Sequence, residues 1–259
     1  MKPAAFFVTG TDTEVGKTTV TTALLHLARH KGFTTAAGKP VASGAEAVTS
    51  VNAQQITYDK ATDTRDSSPQ RTIVWHNSDA LALQRECQPA LTYTTVNPFV
   101  FEPAIAPHIA ATEAGVDLTL QALTSPMQAL LACNADFTLI EGAGGWRVPI
   151  NHHETLAELA KALALPVIVV VGVKLGAINH ACLTFEAIRH DGLEVAGWVA
   201  NLSDKEMAEH PQASRLDENL ATLSTLLPAP CLGIVPHKEE ATPEAVASYL
   251  DIDLLLTGY

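Results

Sequence analysis

The run Gly10-Thr11-Asp12-Thr13-Glu14-Val15-Gly16-Lys17-Thr18 sets two glycines, a lysine and a hydroxyl at the spacing that holds a polyphosphate. Gly10 and Gly16 let the main chain curl until successive N–H groups converge on phosphate oxygens, and the helix expected to begin near Lys17 adds its positive end. Lys17 can then reach the terminal phosphates, while the Thr18 hydroxyl is placed to ligate a magnesium ion bridging them. The strict pattern needs glycine at position 11, so five residues rather than four separate Gly10 from Gly16. That departure brings Thr11 and Glu14 as side chains into a loop that usually offers only backbone. A strand-to-helix turn with a chance Gly-Lys-Thr is the plainer reading. The apolar strand before it and the Val20, Leu24, Leu25, Ala28 face after it favour phosphate.

Further chemistry follows along the chain. Lys39 stands beside Pro40 at the end of a short apolar run, a position for a second ammonium that stabilises charge developing on a transferred phosphoryl group. Ser43 and Gly44 offer a hydroxyl and a backbone donor. Asn77-Ser78-Asp79 precedes a helical stretch, where Asn77 or Ser78 reads as its cap and Asp79 as a first-turn acid. Glu141 ends another apolar run and opens Gly142-Ala143-Gly144-Gly145; an acid there is a direct or indirect magnesium partner, and the glycines admit backbone or substrate closely. His180 lies in a first helical turn and reads as a packed histidine rather than a base. Asn201 can donate to and accept from a purine, or serve as a turn residue.

Alternating elements must position these groups. Strands are expected at 4–9, 34–39, 136–141, 166–172, 195–201 and 231–235. Helices are expected at 17–31, 78–87, 104–114, 117–133, 154–164, 177–190, 214–226 and 243–250. The alternation predicts an α/β fold, a mostly parallel β-sheet with helices on both faces, whose ligands gather beyond the carboxyl ends of the strands. Across 45–75 the periodicity fails, and the stretch reads as a structureless insertion, passive rather than a lid, within a single domain spanning 1–259.

A net charge of −12 opposes non-specific binding to nucleic acid or anionic membrane, so phosphate contacts must come from a local site. Hydrophobic residues make up 47% of the chain, yet no apolar run reaches the roughly 20 residues of a membrane span. Met1-Lys2-Pro3 leads straight into a strand without signal-peptide regions, and a cytoplasmic protein is expected. Cys87, Cys133, Cys182 and Cys231 are too scattered for a zinc site or a disulfide framework.

The motifs taken together narrow the expectation. The Gly10 to Thr18 loop is followed by Lys-Pro-Val-Ala-Ser-Gly from Lys39 and Asn-Ser-Asp-Ala-Leu-Ala-Leu-Gln from Asn77. Val96-Asn97-Pro98-Phe99, Ala106-Pro107-His108-Ile109-Ala110 and Glu141-Gly142-Ala143-Gly144-Gly145-Trp146 come next. Val-Gly-Val-Lys-Leu-Gly-Ala-Ile-Asn-His-Ala from Val171 and Gly197-Trp198-Val199-Ala200-Asn201 complete the set. In this order, over about 6–250, it closely resembles the dethiobiotin synthetase family. The resemblance implies a homodimeric enzyme of the P-loop NTPase fold that turns 7,8-diaminononanoate, CO2 and MgATP into dethiobiotin, ADP and phosphate.

By position, the resemblance implies ATP phosphates held by Gly10, Thr13, Glu14, Val15, Gly16, Lys17 and Thr18, with Thr18, Asp79 and Glu141 around Mg2+. Lys17 and Lys39 would be catalytic and face the transferred phosphoryl group. Thr11, Lys39, Ser43 and Gly144 would meet the diamine and its carbamate. Asn201, Pro236 and Glu244 would surround the adenine, and Gly176 and Asn179 would reach the substrate's far carboxylate from the partner subunit. Two departures stand out: 45–75 is longer than the family usually has, and Ala106 replaces the common serine before Pro-His. A partitioning or cell-division ATPase of the same loop type is the rival. Such switches carry an additional lysine early in the loop, where this chain has Thr11 and Asp12, and the acidic balance also opposes membrane or DNA binding. For a cobyrinate-type amidotransferase, 259 residues leave no room for a glutaminase domain.

Overall fold

Alternate side chains of the first strand part to opposite sides. Phe6 and Val8 enter one apolar cluster and Phe7 another. The same division recurs in the strand Val167–Gly172, where Ile168 and Val170 face one cluster while Val167, Val169 and Val171 face the other. A strand buried on both faces, Val/Ile-rich throughout, belongs at the centre of a sheet covered by helices on each side.

A computed structural model describes residues 3–50, 72–212 and 215–257. In chain order the elements are β1 (Ala4–Gly10), α1 (Lys17–His30), β2 (Thr35–Gly38), β3 (Val41–Ser43), β4 (Glu46–Ser50) and β5 (Thr72–His76). There follow α2 (Ser78–Arg85), α3 (Tyr93–Val96), β6 (Phe99–Phe101), α4 (Pro107–Ala114), α5 (Leu120–Leu131), β7 (Phe137–Glu141) and α6 (Leu156–Leu163). The last third holds β8 (Val167–Gly172), α7 (Ala177–His190), β9 (Val195–Asn201), α8 (Lys205–Glu209), α9 (Leu216–Leu226), β10 (Cys231–Val235), α10 (Pro243–Ala247) and α11 (Asp253–Leu256).

The central sheet runs β10-β9-β8-β1-β7-β2, and every ladder in it is parallel. The expected strands are all present within a residue or two. Side chains of α1, α2, α10 and α11 cover one face, and those of α5, α6, α7 and α9 cover the other. β1 sits between β7 and β8, where the chain switches direction across the sheet, so the loop after it opens at the crevice such sheets use for ligands.

Some expectations need correction. The helices expected from 104 and 117 begin at Pro107 and Leu120: Pro107 takes the first helical turn, where its missing N–H is harmless, and the Thr119 hydroxyl accepts from Ala122 N–H at 3.1 Å to start α5. The stretch 45–75 is not structureless at its described ends. β4 and β5 form an antiparallel ladder from Glu46 opposite His76 to Ser50 opposite Thr72. Its short strands mix Thr, Ser and Glu with single apolar residues, and among the side chains described only Val74 is well buried at 2% exposure, so the alternation has little amplitude to read. The middle of that stretch, 51–71, lies outside the described residues. β3 and β6, a short parallel pair of three residues each, were too brief to register as a pattern.

Candidate active site

The phosphate-type loop is braced from behind before it meets any ligand. Thr11 N–H donates to Val170 O at 3.0 Å, the Thr11 hydroxyl oxygen accepts from Gly172 N–H at 3.3 Å, and Asp12 pairs with Lys174 at 3.1 Å. Thr13 N–H and Lys174 together hold the Asp12 carboxyl below the usual carboxylate range, the backbone hydrogen bond weighing most. Gly16 is the N-cap of α1 at φ +87°, and a Cβ there would lie 2.1 Å from Asn201 Nδ2. Only glycine combines that left-handed backbone with that closeness. Asn201 Nδ2 in turn donates to Val15 O at 2.9 Å, which fixes the back of the loop to the end of β9.

At the front of the loop are the ionic groups. Glu141, fully buried at the end of β7, accepts through Oε1 from Thr18 Oγ1 at 2.8 Å and from Lys39 Nζ at 2.6 Å. Lys39 Nζ also lies 3.2 Å from Asp79 Oδ2, an acid whose side chain is half-exposed in the first turn of α2. Burial opposes the charge on Lys39, but Glu141 and Asp79 outweigh it and raise the pKa above the ordinary lysine value. Lys17 donates to Asp12 O at 2.9 Å, and burial pushes its pKa down to about 8, with Glu141 resisting and Lys39 adding to the fall. Two lysines of different character thus face one space: one is held charged by two carboxylates, and the other is weakened as a base by burial.

That space is a cavity of about 780 Å³, within the range of small-molecule sites. It brings together Thr13, Glu14, Gly16, Lys17, Thr18, Lys39, Ser43, Asp79 and Gly144, all singled out from sequence. Ser43 Oγ is buried there without a hydrogen-bond partner among the described residues, as is Glu141 Oε2. Other expected residues stand apart from the lining. Gly10, Thr11 and Val15 form the back of the loop, and Glu141 reaches the site through Thr18 and Lys39. Asn201 lies behind the loop, Pro236 follows β10, Glu244 opens α10, and Gly176 and Asn179 are exposed at the start of α7.

Of the expected donors, one is spent elsewhere and another is spent in part. Gly44 N–H is taken by Pro103 O at 3.1 Å, so it is not a free backbone donor. Asn201 spends one hydrogen of Nδ2 on Val15 O, which leaves its second N–H and its oxygen for a ligand. The cap of α2 is Asn77, whose Oδ1 accepts from Ala80 N–H at 3.2 Å. Sequence reasoning missed the apolar wall of Ala104, Ile105, Pro107, Val148 and Pro149. Prolines flanking small apolar residues were its only signal.

Thr18, Asp79 and Glu141 are an all-oxygen set, and Mg2+ is held by one or two carboxylates plus a nucleotide's own phosphates. The unpartnered Glu141 Oε2 fits such a role, and the described residues hold no cluster of three His, Cys, Asp or Glu that would suit a softer metal. No helix among the described residues is long and apolar enough to cross a membrane.

Comparison with known proteins agrees in scope with the site. A family model described as an AAA domain matches residues 4–245. The ATP-dependent dethiobiotin synthetase of Pseudomonas paraeruginosa is 55% identical over 98% of this chain and 99% of its own length. Those of Chromohalobacter salexigens and Cellvibrio japonicus are 50% and 47% identical, each over at least 98% of both chains. Among solved structures, the MinC:MinD cell division protein complex of Aquifex aeolicus matches with a TM-score of 0.53 at 14% identity, covering 99% of this chain and 96% of that one. That likeness concerns the fold alone.

Proposed function

The chain belongs to the ATP-dependent dethiobiotin synthetases, enzymes of biotin biosynthesis, and from that premise we propose how its own residues carry out the reaction. An amine of 7,8-diaminononanoate captures CO2 unaided to form a carbamate. That anion resists attack at carbon and expels oxide poorly. Its oxygen attacks the γ-phosphorus of ATP, ADP leaves, and the carbamate becomes a carbamic-phosphoric anhydride. The neighbouring amine then attacks the carbonyl carbon, phosphate departs, and the cyclic urea closes.

Each step spreads negative charge over oxygens, so the protein's task is alignment and cations. The loop from Gly10 to Thr18 seats the phosphates, Lys17 neutralises the terminal ones, and Lys39 meets charge as it passes to the carbamate. Ser43 and Gly144 orient the diamine, and Thr11, at the back of the phosphate loop, holds that loop in place for them. Thr18, Asp79 and Glu141 would hold Mg2+, which would supply charge neutralisation at the phosphates. Asn201, with Pro236 and Glu244, takes the adenine. The observation that most supports this reading is Lys39, 4% exposed yet kept charged between Glu141 and Asp79, in one cavity with Lys17 and Thr18.

The chain acts as one domain and pairs with a second copy, whose Gly176 and Asn179 region closes the far end of the substrate site. Exposed apolar side chains support the pairing: Leu175 at 95% and Leu183 at 56% on α7 and the residues leading into it, with Ile105 and Ile109 at 39% and 44% around the start of α4. The rival reading as a switch ATPase rests on a likeness of fold at 14% identity, whereas the relatives at 47–55% identity are synthetases.

Lys39→Ala is the direct test. We expect single-turnover phosphoryl transfer to fall by at least about a hundredfold, with ATP affinity changed by less than about threefold, since the lost charge acts mainly as the transition state forms. Transfer at the wild-type rate would remove Lys39 from the chemistry.

A further inference from the structure

The Val96-Asn97-Pro98-Phe99 run has no part in the reaction as described, yet Asn97 is the pivot of a buried hydrogen-bond chain. Asn97, 1% exposed, donates through Nδ2 to Lys39 O at 2.7 Å and to Phe99 O at 3.0 Å. Lys39 N–H donates to Val96 O at 2.7 Å, so both backbone polar groups of Lys39 are gripped by this segment. Asn97 Oδ1 accepts from the Tyr93 hydroxyl at 2.9 Å, and the Tyr93 oxygen accepts from Asn77 N–H at 2.8 Å. Asn77 caps the helix that carries Asp79 and donates through Nδ2 to Ser43 O at 3.1 Å.

One phenolic oxygen therefore joins three carriers of the site. Through Asn97 it holds the backbone of Lys39; through Asn77 it holds the first turn of α2 and the carbonyl of Ser43. Tyr93 is itself fixed: it is 8% exposed, and the His76 ring packs on it with centroids 4.3 Å apart. Burial pushes its phenol above the ordinary value, which keeps the hydroxyl a donor.

We propose that Tyr93 is a positioning residue for the transfer step, its hydroxyl setting the distance between the Lys39 ammonium and the Asp79 carboxylate. The physical case lies in what replaces it. Phenylalanine fills the same volume but leaves Asn97 Oδ1 and Asn77 N–H unpaired in a buried place, and such groups relax by moving. The amide of Asn97 is oriented by what its oxygen accepts, so releasing the oxygen also loosens the grip of Nδ2 on Lys39. Phosphoryl transfer is sensitive to displacements of this size. The inference rests on the reading above that Lys39 and Asp79 act in the reaction.

The test is Tyr93→Phe, measured as single-turnover phosphoryl transfer and as the magnesium concentration for half-maximal rate, in wild-type and Asp79→Asn backgrounds. In the wild type we expect transfer about tenfold slower and a higher magnesium requirement; in Asp79→Asn the same change should cost less than about threefold, because one of the groups being positioned is already lost. Equal factors in both backgrounds, the result of a merely structural role, would overturn the proposal. If Tyr93→Phe fails to fold, Asn97→Asp keeps the oxygen that accepts from the Tyr93 hydroxyl and removes the Nδ2 donor through which that hydroxyl acts on Lys39. Transfer slowed about tenfold in the wild type but less than about threefold in Asp79→Asn then supports the chain of contacts. Equal factors in both backgrounds, or transfer at the wild-type rate, overturn it. Lys39→Ala separates the two claims: slow Lys39→Ala beside wild-type-rate Tyr93→Phe overturns the positioning role alone, and wild-type-rate Lys39→Ala overturns the underlying reading with it.

Discussion

Lys17 and Lys39 show how neighbouring groups of one type acquire different behaviour from their surroundings. Lys39 is paired twice and stays protonated through the working range. Lys17 is buried with a backbone carbonyl as its hydrogen-bond partner and sits near pKa 8. The charged form of Lys17 is the one that binds phosphate, so raising the pH through about 8 removes charge from the free enzyme, and kcat/KM for ATP should fall above that pH. Measuring kcat/KM against pH from 6.5 to 9.5 checks this; a flat profile to pH 9.5 would mean that Lys17 remains charged before ATP arrives. At this scale the sequence was most legible where an acid, lysine or glycine ended an apolar run, as with Lys39 and Glu141. It was least legible where function depends on which atom of a side chain is already occupied. Nothing in the one-letter string says that Asn201 has given one of its two amide hydrogens to Val15, or that Gly44 has given its backbone hydrogen to Pro103.

Among the elements, the buried parallel strands announced themselves because continuous Val/Ile runs have no other use in a chain of this composition. β8 and β9 are all buried, and their expected bounds differ from the observed ones by at most a residue. The β4–β5 ladder did not, since Glu46, Ala47, Val48 and Ile73 are exposed and polar residues dilute the pattern. That ladder makes a sharp prediction about the passive reading of the insertion. Ser50 and Thr72 are directly paired, so their Cα atoms lie only about 5 Å apart and a two-residue turn can close them. Replacing 51–71 by Asn-Gly should leave the fold intact and kcat/KM for the diamine within about threefold. Thermal unfolding and steady-state kinetics on the shortened chain test it; a large loss of kcat/KM with an unchanged melting temperature would show that the removed residues take part in substrate binding.

For the molecule as a whole, parallel strands set all their carboxyl ends at one edge, which is why residues as distant as Lys17, Lys39 and Glu141 converge there, while Asp79 is brought to the same edge by α2, after the antiparallel β4–β5 pair. The exposed apolar residues near α7 are the counterpart on the outer surface. Leu175→Asp should convert a dimer to a monomer in light scattering and raise KM for the diamine by about tenfold or more, while ATP affinity changes by less than about threefold. A monomeric wild type would end the two-subunit reading. The central claim is that this site phosphorylates the carbamate oxygen, and isotopic oxygen tests it most directly. Enzyme, diamine and MgATP in ordinary water are mixed rapidly with C18O2 and quenched before the label exchanges. The account predicts one 18O atom in each phosphate released, carried over from the carbamate. Phosphate free of label, formed together with dethiobiotin, would contradict it.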